Sequence, residues 1–306
     1  MREAWAPLAV LAAFAAAPLI GYSGAYETTL MARAMILGMA AVALAFLVGG
    51  AGLVSLGHAA CLGVGAYAVA ILDAHGVTEA AVVLPAAIGA AALFALATGA
   101  VAIRTSGVHF IMITLAFGQM AFFTASSLAA YGGDDGYTLY GRTEVAGTRL
   151  LEDRLAFHYL CLAALTLTWA SCAMLLASRF GRVLRAAREN AQRVEAVGLA
   201  PYPFRLIAYA IAGAVGGLAG FLLANATEFV SPATLSWQRS GELLFMVILG
   251  GAGRLWGGIL GALVFVMLET WLAQQTPHWK LVFGPMLVLA VLFLRGGLAG
   301  LVARRG

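Results

Sequence analysis

Charge is scarce in this chain. Of 306 residues, 18 are Lys or Arg and 14 are Asp or Glu, 10% in all. A water-soluble domain carries about 25%, so an aqueous globule is excluded. Cysteine is nearly absent as well: Cys61, Cys161 and Cys172 lie in apolar runs without C-x-x-C spacing. That excludes a disulfide framework or a cysteine metal site and leaves three small buried hydrophobes. His75, His158 and His278 are scattered without metal-ligand spacing, and no nucleophile–base–acid set accompanies them. No phosphate-cradling G-x-x-x-x-G-K-[ST] loop occurs, so an energy source must be an ion gradient or a separate subunit.

What the chain has instead is hydrophobic length. Residues without formal charge run over Ala4–Tyr26, Ala34–Leu72, Ala80–Ile103, Thr105–Gly133, Leu155–Ser178 and Leu206–Thr227. A bilayer core needs about 20 apolar residues at 1.5 Å rise each, and each run meets that length. The expectation is an all-α polytopic membrane protein, with Ala4–Tyr26 retained as an uncleaved first helix rather than a signal peptide. The formal net charge of +4 speaks to membrane orientation, not to nucleic acid.

Short cytoplasmic loops collect Arg and Lys. Residues 179–205 carry six arginines and two glutamates, which places that loop inside. Counting outward from it, the 132–154 loop falls outside, as do Glu27, Asp73 and Glu79, while Arg104 falls inside. Treating Glu242–Thr270 as one span would bury Arg254 in mid-membrane. Two short segments around a turn at Gly250–Gly258 avoid this and give about ten transmembrane or half-membrane helices with both termini cytoplasmic. The tally is then twelve basic and three acidic residues inside, against six basic and eleven acidic outside. Glu228, Glu242 and Glu269 fall near span ends, which disfavours a gradient-driven carrier, since such carriers place ionisable groups deep in their spans.

The stretch "GGAGLVSLGHAACLGVGAY" (Gly49–Tyr67) interrupts a long run with six glycines, a serine and a histidine. Its first half reads as a cytoplasmic-side turn between two spans. "GGAGRLWGG" (Gly250–Gly258) shares the GGAG and a glycine eight positions on, a candidate parallel repeat. Ser55 and His58, three apart, share a helix face; they line a path or hold the helix break. Thr114 and Gln119 are polar insertions in the 105–133 run, either interhelical hydrogen bonds or path lining. "GGDDGY" (132–137) reads as a turn; Asp134 and Asp135 are candidate contacts for an external partner.

A single helix is expected over Arg182–Gly198. Val183, Ala187, Ala191, Val194 and Val197 gather on one face, opposite Arg182, Arg185, Arg188, Glu189, Gln192 and Arg193. Arg185–Glu189 and Glu189–Arg193 are i,i+4 pairs, and Gly198 ends the helix before Pro201 and Pro203. The small apolar residues suit docking to a protein better than lying on lipid.

"GLVSLGHAACLGVGAYAVAIL" (52–72), "RTSGVHFIMITLAFGQM" (104–120), "FGRVLRAARENAQRVEAVGL" (180–199) and "SGELLFMVILGGAGRLWGGILGALVFVMLE" (240–269) occur in that order. Together they resemble the LivM-type permease subunits of branched-chain amino-acid ABC importers, from about residue 30 to 297. The resemblance implies the permease fold of an ABC importer as a single transmembrane domain over 1–306, in a bacterial inner membrane. It implies four partner subunits: a LivH-like second permease, two cytoplasmic ATPases that use ATP and Mg, and a periplasmic solute-binding protein that Asp134 and Asp135 would meet. The chain itself would bind no cofactor or metal. The 179–205 loop would couple to an ATPase through Arg182, Arg185, Arg188, Glu189, Arg193, Glu195 and Gly198. "VEAVGL" departs from the EAA-x3-G pattern common in such loops, so the loop's role transfers and its individual contacts do not. Urea, short-amide and organic-acid importers belong to the same family.

Overall fold

Hydrocarbon offers no hydrogen bonds to an open backbone, so the apolar runs can cross it only as helices. The computed structural model describes residues 5–19, 24–275, 278, 281–285, 288 and 296–304. In chain order the helices are α1 (Trp5–Ala16), α2 (Ala25–Phe46), α3 (His58–Ala74), α4 (Ala80–Ala102), α5 (Val108–Ser127) and α6 (Arg154–Ala177). Then follow α7 (Arg179–Glu189), α8 (Ala191–Ala196), α9 (Pro201–Thr227), α10 (Trp237–Gly250), α11 (Leu255–Gln275) and α12 (Gly297–Arg304). Two short strands, β1 (Tyr137–Thr138) and β2 (Phe229–Val230), pair antiparallel.

Among the described residues six helices are long and apolar enough to cross a membrane: α2 with the turn after it, α4, α5, α6, α9 and α11. α1, α3 and α10 are shorter. The expected span over Ala4–Tyr26 is not one helix: α1 ends at Ala16 and a 3₁₀ turn, Ala17–Leu19, follows it. The anticipated last segment falls on residues 281–294, mostly outside the described residues. Both long runs of doubtful length do break. Ala34–Leu72 divides between α2 and α3, and Glu242–Thr270 divides at residues 251–254 into α10 and α11. These two pack antiparallel, Gly250 against Gly257 and Gly261 against Met246.

From Ala34 onward α2 is apolar on every face, and that part sits in the middle. Met35–Leu37 and Met39–Leu47 are all buried, surrounded by α6, α9, α10 and α11. α3 crosses α9 at backbone contact distance. A Cβ on Gly65 would lie 2.6 Å from the Gly217 backbone, and one on Gly220 would overlap the carbonyl of Leu62. Small residues let membrane helices approach this closely.

Charge sorts to the two ends of the bundle. At one end lie α7, α8, Arg205 and Arg254, whose guanidinium donates to the Ala299 carbonyl of α12 (2.7 Å). At the other lie Asp73, Glu79, the 132–154 loop and Glu228. The two GGAG turns meet at the α7 end, where a Cβ on Gly49 would sit 3.1 Å from the Ala252 carbonyl.

Two ion pairs lie inside the helices, outside the charge-free runs. Arg33 of α2 donates to both oxygens of Glu269 in α11 (3.1 Å). Arg239 pairs with Glu242 within α10 (2.6 Å). Each acid sits at the edge of an apolar run in sequence but within a helix in space. Each is also neutralised by its own arginine.

Candidate functional site

The break between α2 and α3 holds the first group of candidate residues. Leu47–Ala51 is a π turn, and Gly52 follows with φ +70°, a left-handed conformation that glycine adopts without strain. The chain then stays irregular to Gly57, and α3 begins at His58 inside the bundle. A helix that starts there leaves its first N–H groups without intrahelical partners. Ser55 Oγ accepts from the Gly57 N–H (3.2 Å), and Ser240 Oγ of α10 accepts from the Ala59 N–H (3.0 Å). Ser55 also shares a hydrogen bond with the Tyr209 hydroxyl of α9 (3.4 Å).

His58 is buried; its ring bonds the Ala40 backbone of α2, while Nε2 has no partner among the described residues. Thr114 is buried too, returns its hydroxyl to the Ile111 carbonyl (3.0 Å), and presents its own carbonyl to Gly57. Ser55, His58 and Thr114 therefore surround the break, and of the three Ser55 is the one that bonds its open backbone. Gln119 is separate from them. It lies on the outward side of α5, half-buried, and forms no hydrogen bond among the described residues.

At the α7 end, the amphipathic helix is seated directly on this break. Its buried face is Gly181, Leu184 and Ala187. Leu184 packs on Gly50, Arg188 covers Gly52, and the Arg188 guanidinium donates to the Gly49 carbonyl (2.5 Å). From the other side Arg205 of α9 donates to the Ala187 carbonyl (2.7 Å).

The expected continuous helix over Arg182–Gly198 is corrected here. Asn190 is extended (φ −156°, ψ 102°), and its side chain accepts from the Arg193 N–H, capping a separate α8. Asparagine at such a position competes with the helix backbone and favours a cap. The elbow parts Glu189 from Arg193, and among the described residues neither Arg185–Glu189 nor Glu189–Arg193 forms an ion pair. It also turns Val197 outward, 80% exposed, instead of onto the buried face. Gly198 does end the segment, with φ +86°. Arg182, Val183, Glu189, Asn190, Arg193 and Val194 line a groove of about 650 Å³ in the elbow. Arg182, Arg185, Glu189, Arg193, Glu195 and Gly198 are all exposed.

At the opposite end the 132–154 loop is tied down rather than loose. Gly132, Gly133 and Gly136 take left-handed conformations and leave Asp134 and Asp135 exposed on the expected turn. Asp73, the buried last acid of α3, accepts from the Tyr137 hydroxyl (3.1 Å) and the Tyr140 N–H (3.2 Å). Desolvation, with this hydrogen bond to Asp73, pushes the Tyr137 phenol up to about 12. Asn225 of α9 accepts from the Thr143 N–H (2.8 Å), and Arg142 pairs with Glu228 (2.9 Å).

Sequence reasoning missed Asp73, Tyr209, Asn225 and Ser240 as partners. Only Ser240 carried a signal, as part of the polar "QRSGE" at the head of an otherwise apolar segment. Among the described residues no group of His, Cys, Asp and Glu could hold a metal.

A bundle with a centrally broken helix, a docked basic helix at one end and an anchored loop at the other is a polytopic membrane protein of the transport-permease class. The particular lineage follows from comparison with known families. The chain belongs to the family described as branched-chain amino acid transport system / permease component, which it matches over residues 26–292. It is similar to the high-affinity branched-chain amino acid transport system permease protein LivM of Salmonella typhimurium, 29% identical over 276 residues. The Escherichia coli K12 protein of the same description is 27% identical over 274 residues. Each alignment covers 82% of this chain and 64% of the relative, so the chain spans somewhat under two thirds of their length. The autoinducer 2 import system permease protein LsrC of Klebsiella pneumoniae is 29% identical over 152 residues, covering 45% of this chain and 44% of the relative. No solved structure matches.

Proposed function

We propose that this chain is the transmembrane permease subunit of an ATP-driven importer. It moves branched-chain or related amino acids inward across a bacterial inner membrane by alternating access. A second, homologous permease completes the pore, two cytoplasmic ATPases supply ATP hydrolysis with Mg, and a periplasmic binding protein delivers the solute. The chain itself is non-catalytic and binds no cofactor. The α7 end faces the cytoplasm, in keeping with its arginines, and the 132–154 loop faces out, where Asp134 and Asp135 meet the binding protein.

The observation that carries this reading beyond family membership is the seat of α7 on the Gly49–Gly52 turn. A helix whose outer face is free and whose inner face grips the break between two spans can pass an ATPase movement to that break. Arg182, Arg185, Glu189, Arg193 and Glu195 are then the surface that an ATPase meets, with Gly198 closing the elbow. Arg188 belongs to the grip itself. Ser55, His58 and Thr114 keep the break in one shape.

Similarity to LsrC supports a second reading of the cargo alone, a polar solute other than an amino acid. Copurification from native membranes tests the assembly. An ATPase pair and a second permease are expected with this chain. A solitary chain carrying solute without ATP would make it a gradient-driven carrier or channel instead.

A further inference from the structure

The outward sides of α5 and α10 carry polar groups at a depth where lipid has no partner for them. Gln119 is at the midpoint of α5 and Gln238 is in the first turn of α10. Gln119 is half-buried, Gln238 is exposed, and neither forms a hydrogen bond among the described residues. Two contacts fix their depth. Ser240 is bonded to the Ala59 N–H, and Gly118 rests on Gly57, its Cβ position 3.4 Å from the Gly57 Cα. From Ala59, α3 still climbs to Ala74 before the outer loop, roughly 22 Å at 1.5 Å per residue. The hydrocarbon layer is about 30 Å thick, so both glutamines lie inside it.

The rest of this face is mixed. Met112, Met120 and Phe123 on α5, and Trp237 and Phe245 on α10, are each more than 40% exposed. The Arg239–Glu242 pair flanks them, with about a quarter of each side chain accessible (26% and 27%). α5 and α10 are neighbours, both packed on the 3₁₀ turn Pro232–Leu235. The outer faces of α4 and α6 differ. Leu93 and Leu167 are 67% and 68% exposed there, and the exposed Thr166 returns its hydroxyl to the Leu162 carbonyl (2.7 Å). Those faces suit lipid; amides inside the hydrocarbon layer without a partner among the described residues do not.

Resting on the transport reading above, we infer that the α5–α10 face is the wall of the solute path. Gln119 and Gln238 there hydrogen-bond the ammonium and carboxylate of a small zwitterion. A primary amide both donates and accepts, so it serves either end of a zwitterion, and being uncharged it does not hold the solute fast. Met112, Met120 and Phe245 give an aliphatic side chain an apolar, adaptable surface.

The native cysteines are buried, Cys61 and Cys172 to 1% and Cys161 to 0%, so an introduced thiol stands out. Gln119→Cys, Gln238→Cys, Leu93→Cys and Leu167→Cys are treated, in the membrane-embedded chain with its copurifying subunits, with a charged, water-soluble methanethiosulfonate. The two glutamine positions are expected to label and to lose labelling in excess leucine; the two leucine positions are expected to stay unlabelled. Glutamine positions as silent as the leucines would overturn the inference in favour of lipid or a dry subunit interface. Labelling indifferent to leucine would overturn the solute contact.

Gln119→Leu and Gln238→Leu, which lipid or a dry interface tolerates, are expected to lose leucine uptake at an unchanged amount of chain in the membrane. Retained uptake in both contradicts the assignment. The labelling can be read whichever subunits copurify, so failure here is distinct from failure of the ATP-driven reading.

Discussion

Asp73 shows what a single side chain does in this molecule. It is a carboxylate at the end of a membrane helix, buried, and its acceptors are used by a phenol and a backbone N–H of the 132–154 loop. Removing it deprives those part-buried donors of their acceptor, a loss of about 0.5–1.5 kcal/mol for each hydrogen bond. Asp73→Ala is therefore expected to release the turn around Tyr140, seen as faster hydrogen exchange and proteolysis within 132–141, while the helices stay protected. Gln119 and Ser55 make the complementary point. Both looked alike in sequence, as polar residues in apolar runs. Ser55 finds partners in the break and on α9, and Gln119 finds none among the described residues, because a helix face is set by packing that single-residue chemistry does not reveal.

At the scale of elements, α7 and the α3–α9 crossing carry the most consequence. Arg185 points away from the bundle and Arg188 into the Gly49–Gly52 turn, so their reversal separates two roles. Arg185→Glu is expected to leave the amount of inserted protein unchanged and to lower uptake relative to ATP hydrolysis. Arg188→Glu should in addition loosen α7, seen as faster proteolysis in 179–199. Equal, normal coupling in both would remove α7 from the coupling path. At the crossing, Gly220→Val would force α9 off the Leu62 carbonyl, and overpacking of this kind costs about 1–3 kcal/mol. A lower thermal midpoint in detergent is the expected result.

Much of this level was legible in the sequence. Apolar runs and arginine placement located both helix breaks and set the basic 179–205 loop and the acidic 132–154 loop at opposite ends of the bundle. The elbow at Asn190 was not, since the arginine and alanine spacing on either side reads as one helix and only the local cap separates the two parts. Nor was the depth of α10, whose charges look like a span edge until Ser240 is found bonded to Ala59.

For the whole molecule, one continuous body connects the two ends of the bundle. α9 meets the 132–154 loop through Asn225 and Glu228 and meets α7 through Arg205, and α3 meets them through Asp73 and the Gly49–Gly57 turn. Under the proposed function, a binding event at the loop end and an ATPase movement at the α7 end would act on the same two helices. The central claim is that this body moves solute only when driven by partner ATPases. Proteoliposomes containing the copurified assembly, with ATP and Mg supplied on the α7 side and a solute-binding protein with radiolabelled leucine on the loop side, test it most directly. Leucine accumulation that requires ATP hydrolysis and fails with this chain alone is the predicted result. Accumulation by this chain alone without ATP, driven by an ion gradient, would contradict it.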